Sequence, residues 1–329
     1  MNTNFTPAFY NGTGSLTTGF YLIAFDTLDN KNYLILVLSL IYICTLLGNL
    51  TVLLVVFLNQ SLHNPKYISV CNLAVVDIIM SSVIIPQMVP VFVFNWNLIS
   101  FQACFTQMFF MHYFGDLESF SLAVLAYDRL IAIYFPLRYS TINTNMRIFV
   151  ILTVIWAAVF CLEMYSVALA ASLPYCASRI IRSCCCEHGP VYILACADIT
   201  FNRKLATAKT LIVLFGPLSF IFIAYIIIVI AVQKIASAKQ RKKAFNTCFT
   251  HMLLVLTYYL PVILAYILGN LRLVKSSDLF TAILTVSVAL PPMLNPVIYS
   301  LKTEELSEKI MKLAGRHKTS PESLKKVSS

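Results

Sequence analysis

Residues 210–233 read TLIVLFGPLSFIFIAYIIIVIAVQ, a run of 24 residues without one Asp, Glu, Lys or Arg. About 20 apolar residues are enough to cross a bilayer as a helix. In hydrocarbon the backbone must satisfy its own hydrogen bonds, which leaves the helix as the form for a single such run. Residues 33–58, 244–271 and 279–301 are equally free of charge. Three more apolar spans carry isolated charges: 66–92 with Asp77, 104–134 with Asp116, Glu118, Asp128 and Arg129, and 147–170 with Glu163. The reading is an all-α membrane protein with seven transmembrane helices and no internal repeat. An odd number of crossings puts the termini on opposite sides.

The composition agrees: 59% of the 329 residues are hydrophobic and 12% are charged, against about 25% charged in soluble proteins. Lys and Arg decide the orientation. With the C-terminus cytoplasmic, 16 of the 24 basic residues fall inside and 8 outside. The net charge of +10 therefore reflects topology and anionic lipid rather than nucleic-acid binding, because the basic residues are split among separate loops. The organisation expected is a 1–32 extracellular tail, a 33–301 membrane domain and a 302–329 cytoplasmic segment. The tail lacks an apolar signal core and carries acceptor sequons at Asn4 and Asn11, where glycans are expected. Those at Asn49 and Asn59 fall in a helix and an inside loop and stay unmodified. In the cytoplasmic segment, Leu306, Ile310 and Leu313 form one apolar stripe, the pattern of a short eighth helix on the membrane surface. Residues 317–329 are polar and read as disordered.

Ten cysteines are present. Cys44, Cys71, Cys161 and Cys248 lie in spans and read as small buried apolar residues. Cys104 opens the third span on the outside, and the following outer loop holds Cys176, Cys184, Cys185, Cys186 and Cys196. That compartment is oxidising, so disulfides are expected. Spacing alone does not give connectivity, and any of Cys184, Cys185 and Cys186 could reach Cys104.

Short strings then fall in order on successive spans: GNL at 48–50, NLAVVD at 72–77, AYDR at 126–129, Trp156, Pro217 with Tyr225, YYLP at 258–261 and NPVIY at 295–299. Together they resemble a rhodopsin-like G-protein-coupled receptor over residues 33–313. Longer strings, SLHNPKYISVCNLAVVD, LAYDRLIAIYFPLRYSTI, KAFNTCFTH and PPMLNPVIYSLK, resemble the signatures of odorant receptors. Pro261 stands where many land-vertebrate members have Gly, which is similar to the fish-like branch with its water-soluble ligands. The resemblance implies Cys104–Cys186 and Cys176–Cys196 disulfides, with Cys184 and Cys185 unassigned.

It also implies roles. Asp128 would hold Arg129 while the cytoplasmic cleft is shut, a two-state element, with Tyr225, Asn295, Pro296 and Tyr299 in the same switch. The bland alternative is an Arg snorkelling to headgroups. Leu130 replaces the family's usual Tyr, and Tyr134 a common Cys, which bears on coupling strength. Family packing brings Asp77 toward Glu118. Two carboxylates in low dielectric repel, so either one is protonated or a cation, sodium, sits between them. Small-molecule binding is expected in the outer half of the bundle, at Met108, His112, Tyr113, Lys209, Tyr259, Val262 and Tyr266. Lys209 would hold a ligand carboxylate, favouring an acidic or amino-acid odorant. The alternatives for it are an internal pair with Glu163 or Asp116, or snorkelling. Residues 234–245 would meet a G protein or anionic lipid.

The function expected is an odorant receptor, not an enzyme, that activates a stimulatory G protein and raises cyclic AMP at the ciliary plasma membrane of olfactory neurons. The main alternative is a non-olfactory receptor for a small amine, acid or peptide. A transporter would show repeat symmetry. A rhodopsin-type light sensor would need a Lys in 279–301, and there is none. The histidines lack metal spacing such as HExxH.

Overall fold

The structure is a computed structural model and describes residues 19–24, 31–94, 96–176, 178–270, 277–302 and 304–313. Asn4, Asn11 and residues 317–329 lie outside them. The seven apolar spans are seven long helices among the described residues: α1 (Lys31–Leu58), α2 (Pro65–Val93), α3 (Phe101–Tyr134), α4 (Asn145–Ala171), α5 (Thr200–Gln233), α6 (Ala238–Asn270) and α7 (Ser277–Lys302). Length and composition suit α1, α2, α4, α5 and α6 for crossing a membrane. The α3 helix joins them when taken with the sharply bent segment that follows it. A short α8 (Glu304–Leu313) closes the chain.

Local chemistry sets the helix starts. Asn64 caps α2 by accepting from the Tyr67 amide at 3.3 Å, with Pro65 at the first helical position, where a missing N–H costs nothing. Ser100 and Thr144 cap α3 and α4 in the same way, at 3.2 Å each. The α3 helix is central and packs against α2, α4, α5 and α6, while α1 packs on α2 and α7. One apolar cluster fills the half around Met108, Phe114 and Leu117, and a second fills the half around Leu122, Leu125 and Leu254. Large apolar side chains such as Phe57 and Phe222 point outward. So wide an apolar surface would be a liability in water and suits lipid.

The helices lock together through backbone carbonyls that prolines leave without partners. Pro296 cannot donate to the Pro292 carbonyl, and the Asn49 amide does so from α1 at 2.9 Å. The close approach this needs explains Gly48, where an added Cβ would stand 2.7 Å from the Pro296 ring. In α5, Pro217 cannot donate to the Val213 carbonyl. A widened turn forms over Leu211–Phe215, and the Ser119 hydroxyl donates to Val213 at 2.9 Å.

A small sheet extends the expected all-helical fold. Strands β1 (Gly19–Leu22), β2 (Leu98–Ser100) and β3 (Ile180–Ile181) lie in the order β2-β1-β3, with β1 antiparallel to β2 and parallel to β3. Phe20 is fully buried and meets the rings of Phe101 at 4.7 Å and Tyr175 at 5.2 Å. Residues 19–24 thus form part of the folded cap, whereas the sequence placed them in a tail. At the other end, Tyr67 donates to Glu305 at 2.9 Å. Leu306 and Ile310 of α8 pack on the bundle while Leu313 is exposed.

Candidate functional site

A cavity of about 390 Å³ opens between α2, α3, α5, α6, α7 and the α4–α5 loop. Its size falls in the usual range for small-molecule sites, about 300–1,000 Å³. The wall is mostly apolar, with Met80, Ile84, Met111, Leu214, Val262 and Val288. Its polar groups are few and come from different elements: His112 and Asp116 from α3, Lys209 and Thr210 from α5, Tyr258 from α6, Thr285 from α7, and Cys184, Cys185 and Glu187 from the loop.

Lys209 is 5% exposed and donates to both oxygens of fully buried Glu163, at 2.7 and 2.9 Å. A second carboxylate, Asp116, stands 3.9 Å from the ammonium. Its Oδ2 has no hydrogen-bond partner. The site therefore sets two acids against one base, and the internal pairing foreseen as an alternative for Lys209 is the arrangement present. On the loop, His188 stacks on His112 with ring centroids 4.7 Å apart. Burial, with the Lys209 charge adding to it, holds the His188 imidazole down at about 3, so it is neutral. Burial raises the Glu187 carboxyl.

Of the ligand residues expected from the sequence, His112, Lys209 and Val262 line this cavity. Met108, Tyr113 and Tyr259 are placed elsewhere. Met108 is fully buried in the apolar cluster. Tyr113 is one residue, hence about 100°, round the helix from His112. Its ring turns to α4, where its hydroxyl donates to the Trp156 carbonyl at 3.2 Å. Tyr259 bonds Ser119 at 2.7 Å. Its neighbour Tyr258 takes the cavity wall and donates to the Gly115 carbonyl at 2.9 Å. The side chain of Tyr266 lies outside the described residues.

The loop is fixed by the Cys104–Cys186 and Cys176–Cys196 disulfides. Gln107 adds to this by accepting from the Cys186 amide at 3.0 Å.

Deeper, Asn295 donates to Asp77 at 2.9 Å. Asp77 Oδ1 and Glu118 Oε1 are buried without a protein partner. Among the described residues no group of three or more His, Cys, Asp or Glu is placed to hold a metal ion.

At the far end, Arg129 Nη1 lies 3.6 Å from Asp128 Oδ2, with Asp128 almost wholly buried. Asp128 Oδ1 accepts from Tyr139 at 2.6 Å and Asn143 at 2.8 Å. Across the bundle Tyr225 bonds His251 Nδ1 at 2.8 Å, and His251 Nε2 meets the Leu122 carbonyl at 3.0 Å. A carbonyl only accepts, so Nε2 carries the hydrogen. His251, Tyr139 and Asn143 were not singled out from the sequence. The hints for His251 were a polar residue in an apolar span and its place at the end of the KAFNTCFTH string.

The family model described as "Olfactory receptor" matches residues 38–316. The chain is 34% identical to human Olfactory receptor 52K1, covering 84% of this chain and 88% of that one. It is 32% identical to human Olfactory receptor 10G4, covering 91% and 96%. It is also 32% identical to rat Olfactory receptor 1f45, covering 91% and 95%.

Proposed function

Because this chain belongs to the olfactory receptor family, we propose that it takes a small odorant into the cavity under the α4–α5 loop and activates a stimulatory G protein, raising cyclic AMP. The N-terminus would be extracellular, with glycans at Asn4 and Asn11, and the setting the ciliary membrane of olfactory neurons. The observation that carries the reading is the cavity itself: about 390 Å³, largely apolar, with its few polar groups converging from four helices and one loop. Ligand would favour the active state by binding it more tightly than the inactive one. Arg129, freed from Asp128, would then face the G protein, beside the basic stretch 234–245 and anionic lipid.

The charge pattern refines the ligand class. Lys209 already has both oxygens of Glu163, whereas Asp116 Oδ2, 3.9 Å from the same ammonium, accepts no hydrogen bond. This supports an odorant that donates a hydrogen bond, an amine or alcohol, over the carboxylate that Lys209 alone suggested. Gly115 offers the test. A Cβ there meets only the end of Met80, at an ordinary 3.5 Å, so a larger side chain enters the cavity. In cells challenged with pooled amines, alcohols, amino acids and carboxylates, Gly115→Leu should lose tenfold or more in potency, about 1.4 kcal/mol, at unchanged surface level. An unaltered response would remove the ligand from this cavity. A hormone acting at far lower concentration than any odorant would favour the non-olfactory reading.

A sodium ion between Asp77 and Glu118 belongs to the same proposal. The two orphaned carboxylate oxygens suit a hard cation. Purified receptor should melt higher in sodium chloride than in choline chloride, since an ion that binds only the folded state stabilises it. Asp77→Asn should abolish the difference, and equal melting of the wild type in both salts would exclude the ion.

A further inference from the structure

The α4–α5 loop spends Cys176, Cys186 and Cys196 on disulfides and leaves Cys184 and Cys185 free. Both are buried, and both stand on the cavity wall. A free buried Cys ordinarily packs as a small hydrophobe. These two have polar surroundings instead. Cys184 Sγ lies 3.4 Å from Thr285 Oγ1 of α7, and Cys185 Sγ donates to Glu187 Oε1 at 3.4 Å. The sulfurs are 3.8 Å apart, far beyond the roughly 2.05 Å of a disulfide. One atom holding two sulfurs at tetrahedral angles, with bonds of roughly 2.3 Å as in zinc thiolates, spans about 3.8 Å between them. The hydrogen bond from Cys184, reinforced by burial, pushes the Cys185 thiol well above its usual range. A protonated thiol oxidises slowly, which fits an intact dithiol beside two disulfides; its proton is given up only as the sulfur bonds to a thiophilic centre.

We propose that Cys184 and Cys185 form a two-point covalent capture site, inside the ligand cavity, for small molecules bearing a thiophilic centre that accepts two sulfurs. The site's chemistry is independent of the odorant reading; only its effect on signalling rests on it. With the probe phenylarsine oxide the step balances without redox change. The As=O bond breaks, two As–S bonds form, and the oxygen leaves as water with the two thiol protons. The Cys104–Cys186 disulfide is not consumed, because it has no thiol to give.

The test uses the full chain in cell membranes and biotinylated phenylarsine oxide, read by peptide mass. The expected result is one arsenic bridging Cys184 and Cys185, released by 2,3-dimercaptopropanol. Cys184→Ser and Cys185→Ser should each cut capture at least tenfold at equal surface level. Capture undiminished in the double variant would overturn the proposal. Should the variants fail to reach the surface, the wild-type map decides: an adduct elsewhere, or none, overturns it equally. A receptor that is captured on these thiols yet answers no odorant would sink the functional reading and leave this one standing.

Discussion

Lys209→Met should destabilise the folded receptor by about 3–5 kcal/mol, the usual cost of leaving a buried charge without its partner. Here the loss strands two acids rather than one. Glu163 is fully buried and takes both its hydrogen bonds from Lys209, at 2.7 and 2.9 Å. Asp116, 3.9 Å from the same ammonium, would then face a second carboxylate in low dielectric. The readouts are thermal unfolding of the solubilised protein and surface level in cells. A well-packed neutral pair is often as stable as a buried ion pair, so Lys209→Met with Glu163→Gln should recover much of the loss. If Lys209→Met alone melts like the wild type, the pair is not structural and the lysine is free for ligand, as the sequence first suggested.

Asp128→Asn should raise basal cyclic AMP about tenfold per receptor at the surface, equivalent to about 1.4 kcal/mol. The Asp128 carboxylate accepts from Tyr139 at 2.6 Å and Asn143 at 2.8 Å, and faces Arg129 at 3.6 Å. Hydrogen bonds to a charged group contribute roughly 1.5–3 kcal/mol each, so neutralising the acceptor weakens the whole cluster and frees Arg129. Tyr139→Phe removes one bond and should raise basal activity less. Basal signalling unchanged in Asp128→Asn would dismiss the latch and return Arg129 to an interfacial anchor. The unusual Leu130 packs against the second apolar cluster, so its side chain supports the helix rather than the charge pair.

Much of the molecule was legible before folding. Charge-free runs long enough to cross a bilayer leave the backbone one solution, and the order of short motifs along them named the family. The apolar stripe of Leu306, Ile310 and Leu313 announced a short eighth helix, because helical periodicity is local and survives in one dimension; that Leu306 and Ile310 pack on the bundle while Leu313 is exposed is seen only in the fold. Pro217 and Pro296 were read only as members of the motifs; that each leaves a carbonyl four residues earlier for another helix to fill is seen in the folded structure. Which residue did so, Ser119 for Val213 and Asn49 for Pro292, was beyond the sequence.

Partnership was decided only in three dimensions. Lys209 and Glu163 are 46 residues apart, and nothing local distinguishes pairing with Glu163 from binding a ligand. Tyr258 and Tyr259 are adjacent and chemically alike, yet one lines the cavity and the other bonds Ser119, because 100° of helical rotation separates them. Three neighbouring cysteines could each have reached Cys104, and the loop's path selected Cys186 and left a dithiol facing the cavity. Residues 19–24 looked like tail until β2 and β3 supplied their hydrogen-bond partners. The sequence by itself determined that seven helices form and lie in lipid, since that follows from hydrophobicity and backbone satisfaction. Only the tertiary structure decided which faces meet, because the rotation and offset of one helix against another depend on all their side chains packing at once.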